Sequence, residues 1–438
     1  MKRDIYRNLL RWKTNPKRKP LLLQGARQVG KTFIVKAFGE AEYKDCIYLN
    51  LERNPDYATL FQPDKNPRRI LEDIGLLQGR PVQPETTLLF LDEVQTVPEA
   101  VTSLKYFYEQ TPQYHIIAAG SLVGVNIGLQ SSFPVGKLDF LALYPMTFLE
   151  YLAAAGEDHV VNHLRSKENM EPLPDALHNS LLRQLKYYLY LGGMPEVVQT
   201  YFDFQDTGQA RDIQANLLEA YTHDFSKYAT SSQAVRTSEV WRSIPGQLAR
   251  ENKKFQYSKA RKGGRATDYE QTIEWLRNAG LAHVIYNTST PKLPLAGYAD
   301  RSKFKLYLLD CGLLGAMLQL SLTLITDPGE LFARYNGAFT ENFVATQLMA
   351  QGIPELYYWT SGNTAEIDFL LTVTDSIVPV EVKSGLDRRK KSLRVYVEKY
   401  QPRWHCRLSP RNFHRDGNFV NLPLYVAGLL PALLARQA

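Results

Sequence analysis

The first 150 residues alternate between short apolar runs and longer mixed segments. The runs lie at 20–24 (PLLLQ), 87–91 (TLLFL) and 115–119 (HIIAA). Their length is typical of strands buried in a parallel sheet. Apolar residues at Phe33, Val35 and Phe38 indicate a helix directly after the first run. Residues 1–150 are therefore predicted to form an α/β domain with a parallel sheet.

The spacing of apolar residues changes in the middle of the chain. Apolar residues recur at helical spacing over residues 151–235, which predicts a helical lid. Residues 236–310 show two helical patterns followed by two strand patterns, an order that suggests a winged-helix domain. The predicted helices lie near 240–250 and 267–279, and the predicted strands near 282–286 and 304–309.

Residues 328–438 are predicted to form a further α/β domain. Two strand-like runs, 365–373 and 377–383, are joined by turn residues and predict a hairpin. The apolar stretch 419–435 is interrupted by polar residues and prolines and is too short for a membrane span. It is interpreted as a buried strand followed by a terminal helix.

Length predicts several domains, and cysteine usage predicts a cytoplasmic location; no association with a membrane is expected. A chain of 438 residues exceeds what one core usually supports. The net charge of +7 equals the basic excess of the first nineteen residues, so the rest is nearly neutral. The three cysteines form no C-x-x-C pair, which argues against a disulfide framework or a zinc cluster.

A phosphate-binding motif connects the first predicted strand to the first predicted helix. Residues Gly25 to Thr32 spell G-x-x-x-x-G-K-T, in which glycines let backbone amides face phosphates at a helix N-terminus. Lys31 is predicted to contact the β/γ-phosphate oxygens, and the hydroxyl of Thr32 to bind Mg²⁺. The residues expected to bind ATP are Gly25, Gln28, Val29, Gly30, Lys31, Thr32 and Phe33.

Acidic and hydroxyl residues follow the next two predicted strands. Asp92 and Glu93 end the second apolar run, at the sheet edge where α/β proteins bind ligands. Asp92 is predicted to hold Mg²⁺ and Glu93 to orient or deprotonate the attacking water. Ser121 follows the third run, either as a sensor of the γ-phosphate or as a hydroxyl that closes a turn.

These residues resemble a large prokaryotic family of AAA-type P-loop ATPases. The matching segments are PLLLQGARQVGKT, LLFLDEVQ, IIAAGS, FPVGKLDFLALYPMTFLEYL, LGGMPE, YTHDFSK and KLYLLDCGL. The resemblance implies a restriction-endonuclease-like domain of unknown function at the C-terminus. Lys137 stands where this family usually has arginine, and an ammonium cannot replace a bidentate guanidinium. A homo-oligomer is compatible with the resemblance, although no arginine can be assigned to a neighbour's site.

The C-terminal hairpin carries a D…E-x-K pattern. Asp368 lies on its first strand, and Glu381 and Lys383 share one face of the second. The pattern resembles the metal-dependent nuclease core of restriction enzymes, in which the carboxylates hold Mg²⁺ and the lysine positions or activates water. Glu341 matches an additional acidic residue of the family. The resemblance implies the fold, whereas the residues leave cleavage and binding without cleavage as alternatives.

Two basic stretches bear on DNA binding. The first runs from Lys253 to Arg265 without an acid, and the second from Arg388 to Arg394. Either stretch fits a phosphate-contacting surface or a solvated loop or helix face.

Two hypotheses for the function of the whole chain follow from these sequence features. One is an ATPase that controls a DNA-binding C-terminal module with or without nuclease activity. The other is a nucleotide-gated interaction switch whose nuclease-like domain binds DNA or protein without cutting.

Overall fold

The computed structural model describes residues 1–120, 136–228, 231–250, 253–326, 330–362, 365–385 and 391–437. The chain divides into two compact units. The first comprises Lys2–Tyr144 with Asn278–Gly280, and the second Pro145–Arg277 with Leu281–Ala438. Within the described ranges, no helix has the length and apolar composition needed to cross a membrane.

The first unit contains a five-stranded sheet. Its strands are β1 (Leu21–Gln24), β2 (Asp45–Asn50), β3 (Thr87–Asp92), β4 (His115–Gly120) and β5 (Asp139–Ala142). They lie in the order β2-β3-β4-β1-β5, and every adjacent pair is parallel. β3 and β4 are buried along their whole length, as expected for strands covered on both faces. The predicted parallel α/β domain is confirmed.

Helices pack against this sheet. Those described are α1 (Ile5–Thr14), α2 (Lys31–Glu42), α3 (Pro67–Gln78) and α4 (Pro98–Gln110). Helix α3 begins after Asn66, whose side chain accepts a hydrogen bond from the amide of Arg68 at 3.1 Å. Ile70 and Leu104 of α3 and α4 join Leu89 of β3 in one buried core.

The second unit begins with a helical region. Its described helices are α5 (Phe148–Ala154), α6 (Asp158–Ser166), α7 (Asp175–Leu191), α8 (Pro195–Phe204), α9 (Thr207–Tyr228), α10 (Ser231–Leu248), α11 (Tyr257–Ala260), α12 (Ala266–Asn278), α13 (Cys311–Met317), α14 (Leu322–Thr326), α15 (Glu330–Met349), α16 (Lys391–Tyr400) and α17 (Leu430–Ala435). Helix α5 starts with a reciprocal capping box between Thr147 and Glu150. Residues 151–235 are thus mainly helical, as their apolar spacing predicts.

The second unit also contains an eight-stranded mixed sheet. Its strands are β6 (Ala282–Thr288), β7 (Asp300–Leu308), β8 (Leu356–Thr360), β9 (Glu366–Val373), β10 (Ser376–Val382), β11 (His405–Ser409), β12 (His414–Asp416) and β13 (Phe419–Pro423). The order is β12-β13-β11-β10-β9-β8-β6-β7. β9 and β10 form the predicted hairpin. β6 and β7, expected in a winged helix, pair into the same sheet through β8. The winged-helix and restriction-endonuclease-like assignments stay predictions.

A buried carboxylate joins the turn between α7 and α8 to the start of α13. Asp310 accepts hydrogen bonds from the amides of Leu313 at 2.9 Å and Gly193 at 2.6 Å. Burial raises the pKa of Asp310 to about 6, although these amide contacts oppose the rise. A Cβ atom on Gly193 would lie 2.0 Å from the carbonyl oxygen of Met146. The glycine-rich turn therefore has a packing role in the second unit.

We expect Gly193→Ala to destabilise the protein by about 1–3 kcal/mol, because the added methyl group meets backbone that cannot move aside. Denaturant unfolding followed by circular dichroism measures the loss. Gly246→Ala is the matched control, since a Cβ there meets nothing within 4 Å and the residue lies in helix α10. Equal unfolding midpoints for the two variants would contradict this account.

Candidate nucleotide site and C-terminal carboxylate cluster

The phosphate-binding loop lies between the end of β1 and the start of α2. Gly30 caps the helix with φ of 95°, and Gln28 also has positive φ, at 64°. A side chain at Gly25 would collide with the carbonyl oxygen of Leu143, which a Cβ would approach to 2.3 Å. Left-handed backbone at a residue such as Gln28 is costly and tends to persist at functional sites. The loop therefore has left-handed backbone at two residues directly before helix α2.

The side chain of Lys31 fills the inside of this loop. Its ammonium group donates to the carbonyl oxygens of Gly25 at 3.0 Å and Ala26 at 2.9 Å. Only 6% of the residue is exposed. Burial lowers the pKa of Lys31 to about 8, although the carboxylates of Glu93 and Asp92 partly offset the effect. The loop thus holds a desolvated positive charge close to two acids.

Thr32 and Asp92 meet directly. The hydroxyl of Thr32 donates to Oδ2 of Asp92 at 2.7 Å, although the two residues are sixty positions apart in sequence. Asp92 is the last residue of β3 and is buried. The structure therefore brings together the two residues that the sequence assigns to magnesium, and their oxygens are the ligand type that this ion prefers.

Glu93 follows Asp92 in a left-handed conformation, with φ of 52°. Its Oε2 atom accepts a hydrogen bond from the side-chain amide of Gln95 at 2.5 Å. Gln95 is buried, so it restricts the orientation of the Glu93 carboxylate. Glu93 is only partly buried, which leaves it accessible to a water molecule.

The remaining predicted nucleotide contacts differ in their exposure. Val29 is buried, whereas Gln28 is exposed and Phe33 is 60% exposed. Ser121 lies outside the described residues, although β4, which precedes it, lies between β1 and β3.

Lys137 precedes β5 and pairs with Glu109 at 3.1 Å. Because β5 is parallel to β1, Lys137 lies at the opposite end of the strands from the phosphate-binding loop.

Sequence reasoning missed three polar residues around Asp92 and Glu93. The hydroxyl of Tyr48 donates to Oδ2 of Asp92 at 3.1 Å, and Asn50 donates to the Tyr48 hydroxyl at the same distance. Gln95 is the third. Tyr48 and Asn50 lie at the carboxyl end of β2, next to β3, and their polar character at a parallel-strand end is the signal that could have identified them.

In the second unit, the predicted metal ligands contact protein cations. Glu381 receives two hydrogen bonds from the buried guanidinium of Arg407, at 2.9 and 3.2 Å. Its other oxygen lies 3.2 Å from Nζ of Lys383. Asp368 accepts a hydrogen bond from the amide of Val382 at 2.7 Å. Glu381 thus contacts Lys383, which directly follows β10, whereas Asp368 contacts the backbone of Val382 between them.

Glu341 on α15 also pairs with lysines. It forms an ion pair with Lys253 and lies 3.5 Å from Nζ of the fully buried Lys305, which contacts Glu366 at 2.5 Å. Burial would raise the pKa of Glu341, but the two ammonium groups lower it. Burial and the negative charge of Glu341 raise the pKa of Asp368.

The acids of this C-terminal carboxylate cluster fall into two groups. Glu341 and Glu366 share Lys305, Lys253 also pairs with Glu341, and Asp368 lies within their electrostatic reach. Glu381 lies between Lys383 and Arg407. In the part of the chain that the structure describes, no three His, Cys, Asp or Glu residues are grouped as metal ligands. Sequence reasoning missed Lys305 and Arg407, which come from distant strands.

The basic stretches are partly neutralised. Lys253 pairs with Glu341, and Arg261 lies 3.7 Å from Glu239. Lys259, Lys262 and Arg265 are exposed. In the second stretch, Arg394 pairs with Glu398 at 3.3 Å, and residues 388–390 lie outside the described ranges.

Comparison with protein families divides the chain into three matched segments. Residues 17–152 match a family described as an AAA domain. Residues 182–323 and 336–425 match two families described as domains of unknown function, DUF8612 and DUF4143. No curated protein matches the chain.

Solved structures resemble the chain only distantly. The Walker-type ATPase PABY2304 of Pyrococcus abyssi is 15% identical, with a TM-score of 0.44, over 72% of this chain and 94% of that one. The Aeropyrum pernix ORC1 protein in complex with DNA is 12% identical, with a TM-score of 0.29, over 72% and 90%. AMPPCP-bound DnaA from Aquifex aeolicus is 13% identical, with a TM-score of 0.28, over 63% and 85%. The segment 17–152 that matches the AAA domain family contains the phosphate-binding loop with Lys31, the Thr32–Asp92 contact and the five-stranded parallel sheet.

Proposed function

We propose that the first unit binds ATP with Mg²⁺ and hydrolyses it. The observation that carries the proposal is the contact between Thr32 and Asp92 beside the buried ammonium of Lys31. A loop of backbone amides at a helix N-terminus, with one lysine inside, provides what a triphosphate requires. The hydroxyl of Thr32 and the carboxylate of Asp92 then provide two oxygen ligands for the divalent cation.

Each residue has a separate task in this proposal. The amides from Gln28 to Thr32 bind the phosphate oxygens, and Lys31 exchanges its carbonyl partners for the β/γ-phosphates. Thr32 and Asp92 hold Mg²⁺, which neutralises charge on the phosphates when bound. Glu93, oriented by Gln95, accepts a proton from the attacking water. Ser121 is retained as a candidate sensor of the γ-phosphate.

For the second unit, the balanced charges favour the interaction switch over the nuclease. A divalent cation at Glu341 or Glu381 would have to compete with the lysine and arginine side chains that already pair with these two acids. At Asp368 it would have to compete with a proton, because burial and the charge of Glu341 raise the pKa of this carboxyl group. Separating a buried ion pair leaves an uncompensated charge, which costs about 3–5 kcal/mol. We therefore favour a module that binds DNA or protein without cleavage and that responds to the nucleotide. The exposed basic groups Lys259, Lys262 and Arg265 are suited to contact phosphates.

Two substitutions separate ATP binding from hydrolysis. Lys31→Ala should raise the Kd for ATP by about 10- to 100-fold, because it removes a charged hydrogen-bond donor. Glu93→Gln should retain binding but lower turnover by about 100-fold or more, because the base is lost. Calorimetry and phosphate release measure the two effects. Glu40→Gln, an exposed acid on helix α2, is the control. If Glu93→Gln and Glu40→Gln turn over alike, Glu93 is not the base.

ATP affinity should depend on pH through Lys31. Because the pKa of Lys31 is lowered to about 8, it is mostly charged at pH 7.5 and mostly neutral at pH 9.5. If bound phosphate keeps the lysine protonated, the Kd should rise by up to about 25-fold between these values. Lys31→Arg supplies the control, because a guanidinium does not titrate in this range. Parallel pH profiles for the parent and Lys31→Arg would rule out Lys31 as the titrating group.

Nuclease activity can be tested directly in the full chain. Plasmid and single-stranded DNA are incubated with protein and Mg²⁺ or Mn²⁺, with and without ATP, and the products are separated on gels. We expect no cleavage, because protein cations already pair with Glu341 and Glu381. Cutting that disappears in Lys383→Ala, but persists in the exposed control Lys399→Ala with ATP hydrolysis intact, would instead establish the nuclease.

A further inference from the structure

A buried arginine near the start of the chain contacts the phosphate-binding loop. Arg3 precedes helix α1, and only 8% of it is exposed. Its Nη1 atom donates to the carbonyl oxygen of Val29 at 2.9 Å, and its Nη2 atom donates to the carbonyl oxygen of Tyr144 at 2.6 Å. One guanidinium therefore connects the second half of the loop to the segment that follows β5.

The contact with Val29 constrains a peptide unit of the loop. In a trans peptide the C=O and N–H bonds point in opposite directions. Holding the carbonyl of Val29 against Arg3 therefore directs the amide of Gly30 away from Arg3. Gln28 and Gly30, on either side of Val29, both have positive φ, at 64° and 95°. A loop with such torsions needs external support to keep one conformation.

The other end of the guanidinium is attached to a firm part of the unit. The amide of Leu143 donates to the carbonyl of Gln24 at 2.7 Å, which continues the pairing of β5 with β1. The Leu143 carbonyl lies against Gly25, at the first residue of the loop. The segment Leu143–Tyr144 thus supports the beginning of the loop directly and its end through Arg3.

Helix α1 holds Arg3 in place. The hydroxyl of Tyr6 donates to Glu42 at the end of α2 at 2.8 Å, and the ring of Tyr6 packs edge-on against Phe38 at 5.4 Å. Because α2 begins with Lys31 and Thr32, this packing ties α1 to the helix that carries the nucleotide ligands.

We propose that Arg3 is a positioning residue of the nucleotide site, which keeps the Gly30 amide directed at the phosphates. The inference rests on the ATP binding proposed above and adds a residue that touches no nucleotide atom. A guanidinium is required because its planar nitrogen atoms reach two carbonyls at once, which a lysine ammonium at the same place does not reproduce.

The test compares Arg3→Ala and Arg3→Lys with the parent and with Arg7→Ala, an exposed arginine on α1. Calorimetry measures the Kd for MgATP, and phosphate release at saturating ATP measures kcat. Arg3→Ala should raise the Kd by about 10-fold or more with little change in kcat, because the interaction acts on binding. Arg3→Lys should lose affinity while its melting temperature stays near that of the parent. Arg7→Ala should match the parent.

Chemical rescue separates positioning from a general effect on folding. Guanidinium ion, added far below denaturing concentrations, should restore ATP affinity to Arg3→Ala but not to Lys31→Ala. If Arg3→Ala fails to fold, Arg3→Lys decides the matter. Parent-like ATP affinity in a folded Arg3 variant would overturn this inference alone. Absence of ATP binding by the parent itself would overturn the proposed function and the inference with it.

Discussion

The first unit depends on an ammonium group that is kept charged inside a loop of backbone. Burial of Lys31 works against its charge, and the carbonyls of Gly25 and Ala26 with two nearby carboxylates compensate in part. The sheet order makes this possible. β1, β4 and β3 are neighbours and parallel, so the phosphate-binding loop after β1 and Asp92 at the end of β3 lie at the same edge of the sheet. Residues that are far apart in sequence thus lie next to each other at one site.

The second unit also buries charge, but its ionic groups compensate one another. Lys305 is completely buried and contacts both Glu341 and Glu366, while Glu381 lies between Arg407 and Lys383. In the nucleotide site, by contrast, the lysine is held mainly by carbonyl oxygens, which phosphate can replace without separating an ion pair. A ligand of the first unit replaces carbonyl oxygens, whereas a metal ion in the second unit would have to separate ion pairs. For this reason we propose ATP hydrolysis for the first unit and favour binding without cleavage for the second.

The nucleotide loop could be predicted from sequence because its information is local. Strand, glycine-rich turn, lysine, threonine and helix follow one another within twenty residues, and the acidic pair follows another apolar strand. The hairpin that carries Asp368 and Glu381 could be predicted for the same reason, because its two strands follow one another in sequence. Lys305 and Arg407 could not be found this way, because they approach Glu341 and Glu381 only after β7 and β11 join the sheet. The common sheet of β6 to β13 is likewise a product of long-range pairing.

The role of Arg3 at the nucleotide site also could not be predicted from the sequence. In sequence it is one of eight basic residues among the first nineteen, and nothing distinguishes it from the exposed Arg7. Only the fold places its guanidinium between two backbone carbonyls. A motif specifies which groups meet the ligand, but the directions of its peptide units depend on contacts outside the motif. The conformation of the phosphate-binding loop is therefore a property of the whole first unit, including the segment before helix α1.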